Sequence, residues 1–101
     1  MIPKLMNENY AKWAATITLF LRSTTGWQFI ERKVETKDID PKDEKVIKLF
    51  YETLSLIIAS VSNDLSHLVT ITEDPESYSP ATLWMKITTH FNLNTIRIDF
   101  N

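Results

Sequence analysis

The sequence has no cysteine and a single glycine, Gly26, in 101 residues. Without cysteine there is no disulfide framework and no thiolate metal site. With one glycine there is no glycine-rich phosphate cradle and no nucleophile elbow, both of which need several small residues at fixed spacing. Tight hairpin turns also want glycine or Asn-Gly, and no Asn-Gly pair is present, so a sheet protein of this length is disfavoured. No apolar run approaches the roughly 20 residues of a membrane span. The opening Met1-Ile2-Pro3-Lys4-Leu5-Met6-Asn7 lacks the apolar core of a signal peptide. A net charge of -2 argues against non-specific nucleic-acid binding, which needs a basic surface. The expectation is a soluble, cytoplasmic chain with no membrane partner.

Hydrophobic residues make up 44% of the chain, and three Trp, five Phe and three Tyr supply bulk for one core. The fold class expected is all-α: a small single-domain bundle of four to five helices over residues 1–101. The best-marked helix runs from about Tyr10 to Thr24. Advancing about 100° per residue puts Tyr10, Trp13, Ala14, Ile17, Phe20, Leu21 and Thr24 on one face, with Lys12, Ala15 and Arg22 opposite. Asn7 or Asn9 is the expected cap, and Gly26 is placed to stop the helix in a left-handed conformation.

Trp27, Phe29 and Ile30 alternate with Gln28 and Glu31, which fits a short strand or an irregular segment. Arg32 to Lys42 is charged and reads as the main surface loop. Asp40-Pro41 marks the start of a second helix, with Asp43 and Glu44 on its positive end. That helix runs to Ser60 or Ser62. Val46, Ile47, Phe50, Tyr51, Leu54, Ile57, Ile58 and Val61 share its broad apolar face, and Leu49 and Leu56 flank the polar one. Leu65, Leu68 and Val69 indicate a short third helix with His67 on its polar side. A loop spans Thr70 to Ser79. Ser79-Pro80 opens a further helix to about Asn92, striped by Leu83, Trp84, Ile87 and Phe91. Asn94 is placed to cap a last turn with Ile96, Arg97 and Phe100.

Catalytic equipment is not evident. His67 and His90 are far apart in the chain and have no cysteine or metal-binding spacing beside them. The carboxylates fall at loops and helix starts, where capping accounts for them. The aromatics stand at helical core spacing, not on a basic stacking platform. The expectation is therefore no enzyme, no cofactor and no metal. The core anchors expected are Tyr10, Trp13, Ile17, Leu21, Trp27, Phe50, Ile57, Trp84, Ile87 and Phe91.

Three blocks carry a resemblance. Leu5-Met6-Asn7-Glu8-Asn9-Tyr10-Ala11-Lys12-Trp13 opens the first helix. Ile57-Ile58-Ala59-Ser60-Val61-Ser62-Asn63-Asp64-Leu65 ends the second. Ser79-Pro80-Ala81-Thr82-Leu83-Trp84-Met85-Lys86-Ile87, with Phe91, begins the last. Together and in this order they resemble the Gag capsid region of copia-type LTR retrotransposons. Glu8 stands where that family often has glycine, and Val46 or Phe50 must fill the space of another Trp early in helix two. No zinc knuckle is present. The resemblance implies a capsid N-terminal lobe, like that of retroviral capsids, whose C-terminal lobe is absent. Its partners would be further copies of itself, the C-terminal capsid lobe and, only indirectly, element RNA. Candidate self-association residues, read from the helical wheel, are Lys12, Leu19, Arg22, Leu49, Leu56 and Met85. A charge at Leu49 or Leu56 is expected to abolish assembly and spare the fold. Two other readings stand beside this one: a domesticated Gag-derived module, and an unrelated helical adaptor for a partner helix.

Overall fold

The computed structural model describes residues 2–31, 36–70 and 79–99, with side chains described as far as residue 92 except at Thr36. Four α-helices occur among them: α1 Tyr10–Ser23, α2 Trp27–Ile30, α3 Glu44–Ala59 and α4 Pro80–Asp99. Two 3-10 segments, Thr36–Asp38 and Asn63–Leu68, are also present among the described residues. The fold is all-α, as the periodicities require. Residues 32–35 of the expected surface loop, residues 71–78 of the next, and Phe100 lie outside the described residues.

The chain enters through an element that helical periodicity does not reveal. Leu5 pairs with Val61 in one parallel bridge: its N–H donates to the Ser60 carbonyl at 2.7 Å and its carbonyl accepts from Ser62 N–H at 3.1 Å. Leu5 is completely buried. The Lys4 ammonium donates to the Ala59 carbonyl, one of the orphan acceptors at the end of α3. The lead-in is thus fastened to the far end of α3 before α1 begins. Asn9 occupies the cap position, but its side chain faces backwards. It accepts from Met6 N–H at 2.7 Å and donates to the Lys4 carbonyl at 2.8 Å. It shapes the approach to α1 and leaves the helix N–H groups alone.

The stop of α1 also differs from expectation. Thr25, with φ 64°, is the left-handed residue, whereas Gly26 has φ -65°. Gly26 is needed for space instead. A Cβ there would stand 2.5 Å from Thr53 Oγ1 on α3. The close approach lets the chain turn directly into α2, one helical turn and neither strand nor irregular coil, which buries Phe29.

At α3 the cap is Asp43, whose carboxylate accepts from Val46 N–H at 3.2 Å. Asp40 serves the preceding turn, accepting from Lys42 N–H on its side chain and from Asp43 N–H on its carbonyl, both at 2.9 Å. Ser79 caps α4 by accepting from Thr82 N–H at 3.1 Å, with Pro80 as first helical residue. The helix continues through Asn94 to Asp99. Nothing between Asn92 and Asp99 is proline or glycine, so one asparagine of middling propensity does not stop it.

The buried side chains form one connected core. Leu5, Trp13, Ile17, Leu21, Phe29, Ile57, Leu83 and Ile87 are its most enclosed members. α4 is the hub, packing on α2, α3 and the Asn63–Leu68 segment. An aromatic chain ties it to α1. Phe91 stacks on Tyr10 at 4.5 Å, Trp13 on Trp84 at 5.4 Å, and Trp27 meets Trp84 edge-on at 5.3 Å. Phe29 and Phe50 join α2 to α3 in a perpendicular pair at 5.4 Å. Of the expected anchors, Tyr10, Trp27 and Trp84 are half-buried and the other seven are buried.

Candidate functional site: an apolar groove between α1 and α3

Two aromatic residues on the expected core faces stand outside the core. Phe20 is 46% exposed and Tyr51 is 58% exposed. Thr24, on the same wheel face as Phe20, is exposed as well. A wheel assigns one face to a whole helix, whereas α1 changes neighbours along its length. At Trp13 it lies against Trp84 of α4, and Ile17 and Leu21 carry the core to its end. Phe20 is rotated off that line and lines a groove shared with α3 residues. Tyr51 follows Phe50 by about 100° and so leaves the core that Phe50 enters.

Phe20 and Thr24 on α1, with Tyr51, Leu56, Ser55 and Ala59 on α3, line an open groove of about 690 Å³. Leu21, Leu49 and Thr53 also line it, and Lys48 and Glu52 stand on its border. The lining is mainly apolar. Lys48 and Glu52 face each other at 3.8 Å, an exposed pair of the kind that contributes little to stability. On α3, positions 48, 51, 52, 55 and 59 recur at the spacing of a helix-packing seam, and Ser55 and Ala59 are small enough for close approach. Phe20 and Tyr51 stand on α1 and α3 as two bulky projections around the groove.

The six self-association candidates separate into different places. Leu49 and Leu56 line the groove, but both are half-buried and pack against the core. Leu19 is 73% exposed and lies outside the groove lining. Lys12 is exposed on α1. The Arg22 guanidinium carbon lies 5.3 Å from the Trp27 ring centroid, a cation–π contact on another side of the α1 end. Met85, 52% exposed, belongs to a separate depression with His67 and His90. Sequence periodicity missed Phe20 and Tyr51. The available signal was that Tyr51 sits at the edge of a very wide apolar arc, beside Lys48 and Glu52.

Among the described residues no three His, Cys, Asp or Glu side chains converge as a metal cluster. No described helix is long and apolar enough to cross a membrane. Comparison with family models, with curated proteins and with solved structures gave no match.

Proposed function

We propose that this chain is a structural capsid (Gag) domain that self-associates into the shell of a copia-type retrotransposon particle. The observation that carries the proposal is the uncovered groove between α1 and α3, with Phe20 and Tyr51 exposed around it. Exposed apolar surface gathered in one concave strip is costly to leave in water and is the usual mark of a contact surface. The occupant proposed for it is a helix from another copy, whose apolar side chains would meet the mainly apolar lining. Weak contacts of this kind, repeated around a symmetric ring, add to a stable shell without any single strong interface.

Support also comes from where the family-like blocks fall. The Asn9-Tyr10-x-x-Trp13 element supplies the lead-in and the aromatic stack on α4. Ser60 to Leu65 forms the exit from α3 and holds Leu5. Ser79-Pro80 starts α4, and Trp84 contacts both Trp13 and Trp27. Each block has a structural task of its own. The role is contact between copies rather than catalysis. The same groove would also suit an amphipathic helix from another protein, the reading that applies to a domesticated relative or an adaptor.

Light scattering over a concentration series, with electron microscopy of the most concentrated samples, tests the proposal. Mass rising with concentration and closed rings or shells are the expected result. A strict monomer at the highest concentration, with no ordered particles, would overturn it.

A further inference from the structure

His67 and His90, far apart in sequence, meet in space. His67 lies on the Asn63–Leu68 segment and His90 on α4, two elements that pack together. Their ring centroids are 6.1 Å apart with planes at 76°. With metal–nitrogen bonds of about 2.0–2.1 Å, two imidazoles on one tetrahedral ion have centroids roughly 5 Å apart. Closing that difference of about 1 Å requires one ring to turn toward the other. His67 is exposed. His90 is half-buried and braced edge-on against Phe91 at 4.9 Å, and Phe91 is itself stacked on Tyr10. His90 is therefore the more enclosed ligand and His67 the more exposed one.

We propose that His67 and His90 form a two-imidazole site for a late divalent transition-metal ion, taking Cu²⁺ more tightly than Zn²⁺. The two rings open into a depression of about 450 Å³ that also holds Leu68, Met85, Lys86 and Thr89. Imidazole nitrogen suits both ions, and the first-row order favours Cu²⁺. Met85 adds a soft thioether on the border. Water completes the coordination shell. Lys86 is the opposing feature, an ammonium beside the ion. The site clips the segment after α3 to α4 and is independent of the groove and of the capsid reading.

Calorimetric titration of the whole chain with ZnCl₂ and with CuCl₂, in a buffer that does not bind metal, tests the site. The expected result is one ion per chain, with Cu²⁺ the tighter. His67→Ala and His90→Gln should each weaken binding by about tenfold or more, because either change removes the chelate. Lys86→Gln should strengthen it. Electron paramagnetic resonance of the Cu²⁺ form should show coupling to two imidazole nitrogens. His67 is at the surface, so its replacement leaves the fold intact, and circular dichroism checks this for each variant. Affinity unchanged in His67→Ala, coupling to a single nitrogen, or metal recovered only in a dimer by light scattering would each overturn the proposal.

Discussion

The Trp13 indole N–H donates to the Ser60 hydroxyl at 3.1 Å, buried between the start of α1 and the end of α3. Ser60 donates in turn to the Ile57 carbonyl at 2.9 Å. The indole is completely enclosed, so its one donor has no access to water if Ser60 loses its oxygen. Ser60→Ala should therefore cost about 1–3 kcal/mol, the penalty of an unsatisfied buried donor. Trp13→Ala should cost about 3–5 kcal/mol, because it also empties the core. In a Trp13→Phe background, which has no indole N–H, Ser60→Ala should cost distinctly less. Urea unfolding followed by circular dichroism measures all three. Equal costs of Ser60→Ala in both backgrounds would show that the bond carries no energy.

Gly26 supports a second prediction, and it rests on space rather than backbone freedom. Its φ of -65° is open to any residue. The added methyl of Gly26→Ala would collide with Thr53 Oγ1, which is itself fixed by donating to the Leu49 carbonyl at 2.8 Å. The expected loss is about 1–3 kcal/mol, the range for overpacking a tight contact. Thr53→Ala removes the obstructing atom, so the double variant should be more stable than the sum of the single effects predicts. Simple additivity in thermal melts would place the constraint elsewhere.

The helix caps show how far local sequence can be read. Helices α1, α3 and α4 are legible from apolar spacing, and Ser79-Pro80 marks the start of α4 directly. At α3 two aspartates compete, three residues apart, and each finds backbone donors just ahead of it. The proline beside Asp40 favours it on local grounds, yet Asp43 receives the helix N–H. Asp43→Ala should cost about 0.5–2 kcal/mol. Asp40→Ala should cost less, because it loses only a bond to the exposed Lys42 N–H in a turn. A larger loss for Asp40→Ala in denaturant titration would reverse the assignment. The Leu5–Val61 bridge was not legible, because pairing between residues far apart leaves no local period. The groove was hidden for a related reason: whether Phe20 and Tyr51 are covered depends on the spacing of two helices, not on either wheel.

Tyr10 makes stability depend on alkaline pH. Burial against Phe91 raises its phenol above the ordinary value of 10.0, because a phenolate there would lose hydration. Above that value an unfolded Tyr10 releases its proton while the folded one keeps it. The folded state then binds more protons, and stability falls as pH rises. The contribution is fully present below the unfolded value and is lost as pH climbs through the folded one. Tyr10→Phe should flatten this part of the profile. The check is the urea midpoint at about pH 9 and about pH 11, bracketing the unfolded tyrosine value, in both proteins. The same decline in both would exclude Tyr10 as its source.

Self-association and folding should respond to different residues around the groove. Leu49 and Leu56 are two of the six contact candidates on the helical wheel, and both pack partly against the core. A carboxylate at Leu49 would be forced into apolar surroundings, and Leu49→Glu should destabilise the domain by about 2 kcal/mol or more. Loss of assembly in that variant would then report unfolding. Tyr51 is 58% exposed, so Tyr51→Glu should leave the melting temperature nearly unchanged and remove concentration-dependent association. Phe20→Glu should behave similarly, from the α1 side of the same groove. Leu19→Glu is the control: its side chain is exposed but lies outside the lining, and association should persist. If Tyr51→Glu assembles normally while Leu19→Glu does not, copies meet on the outer face of α1 and the groove is left for another partner.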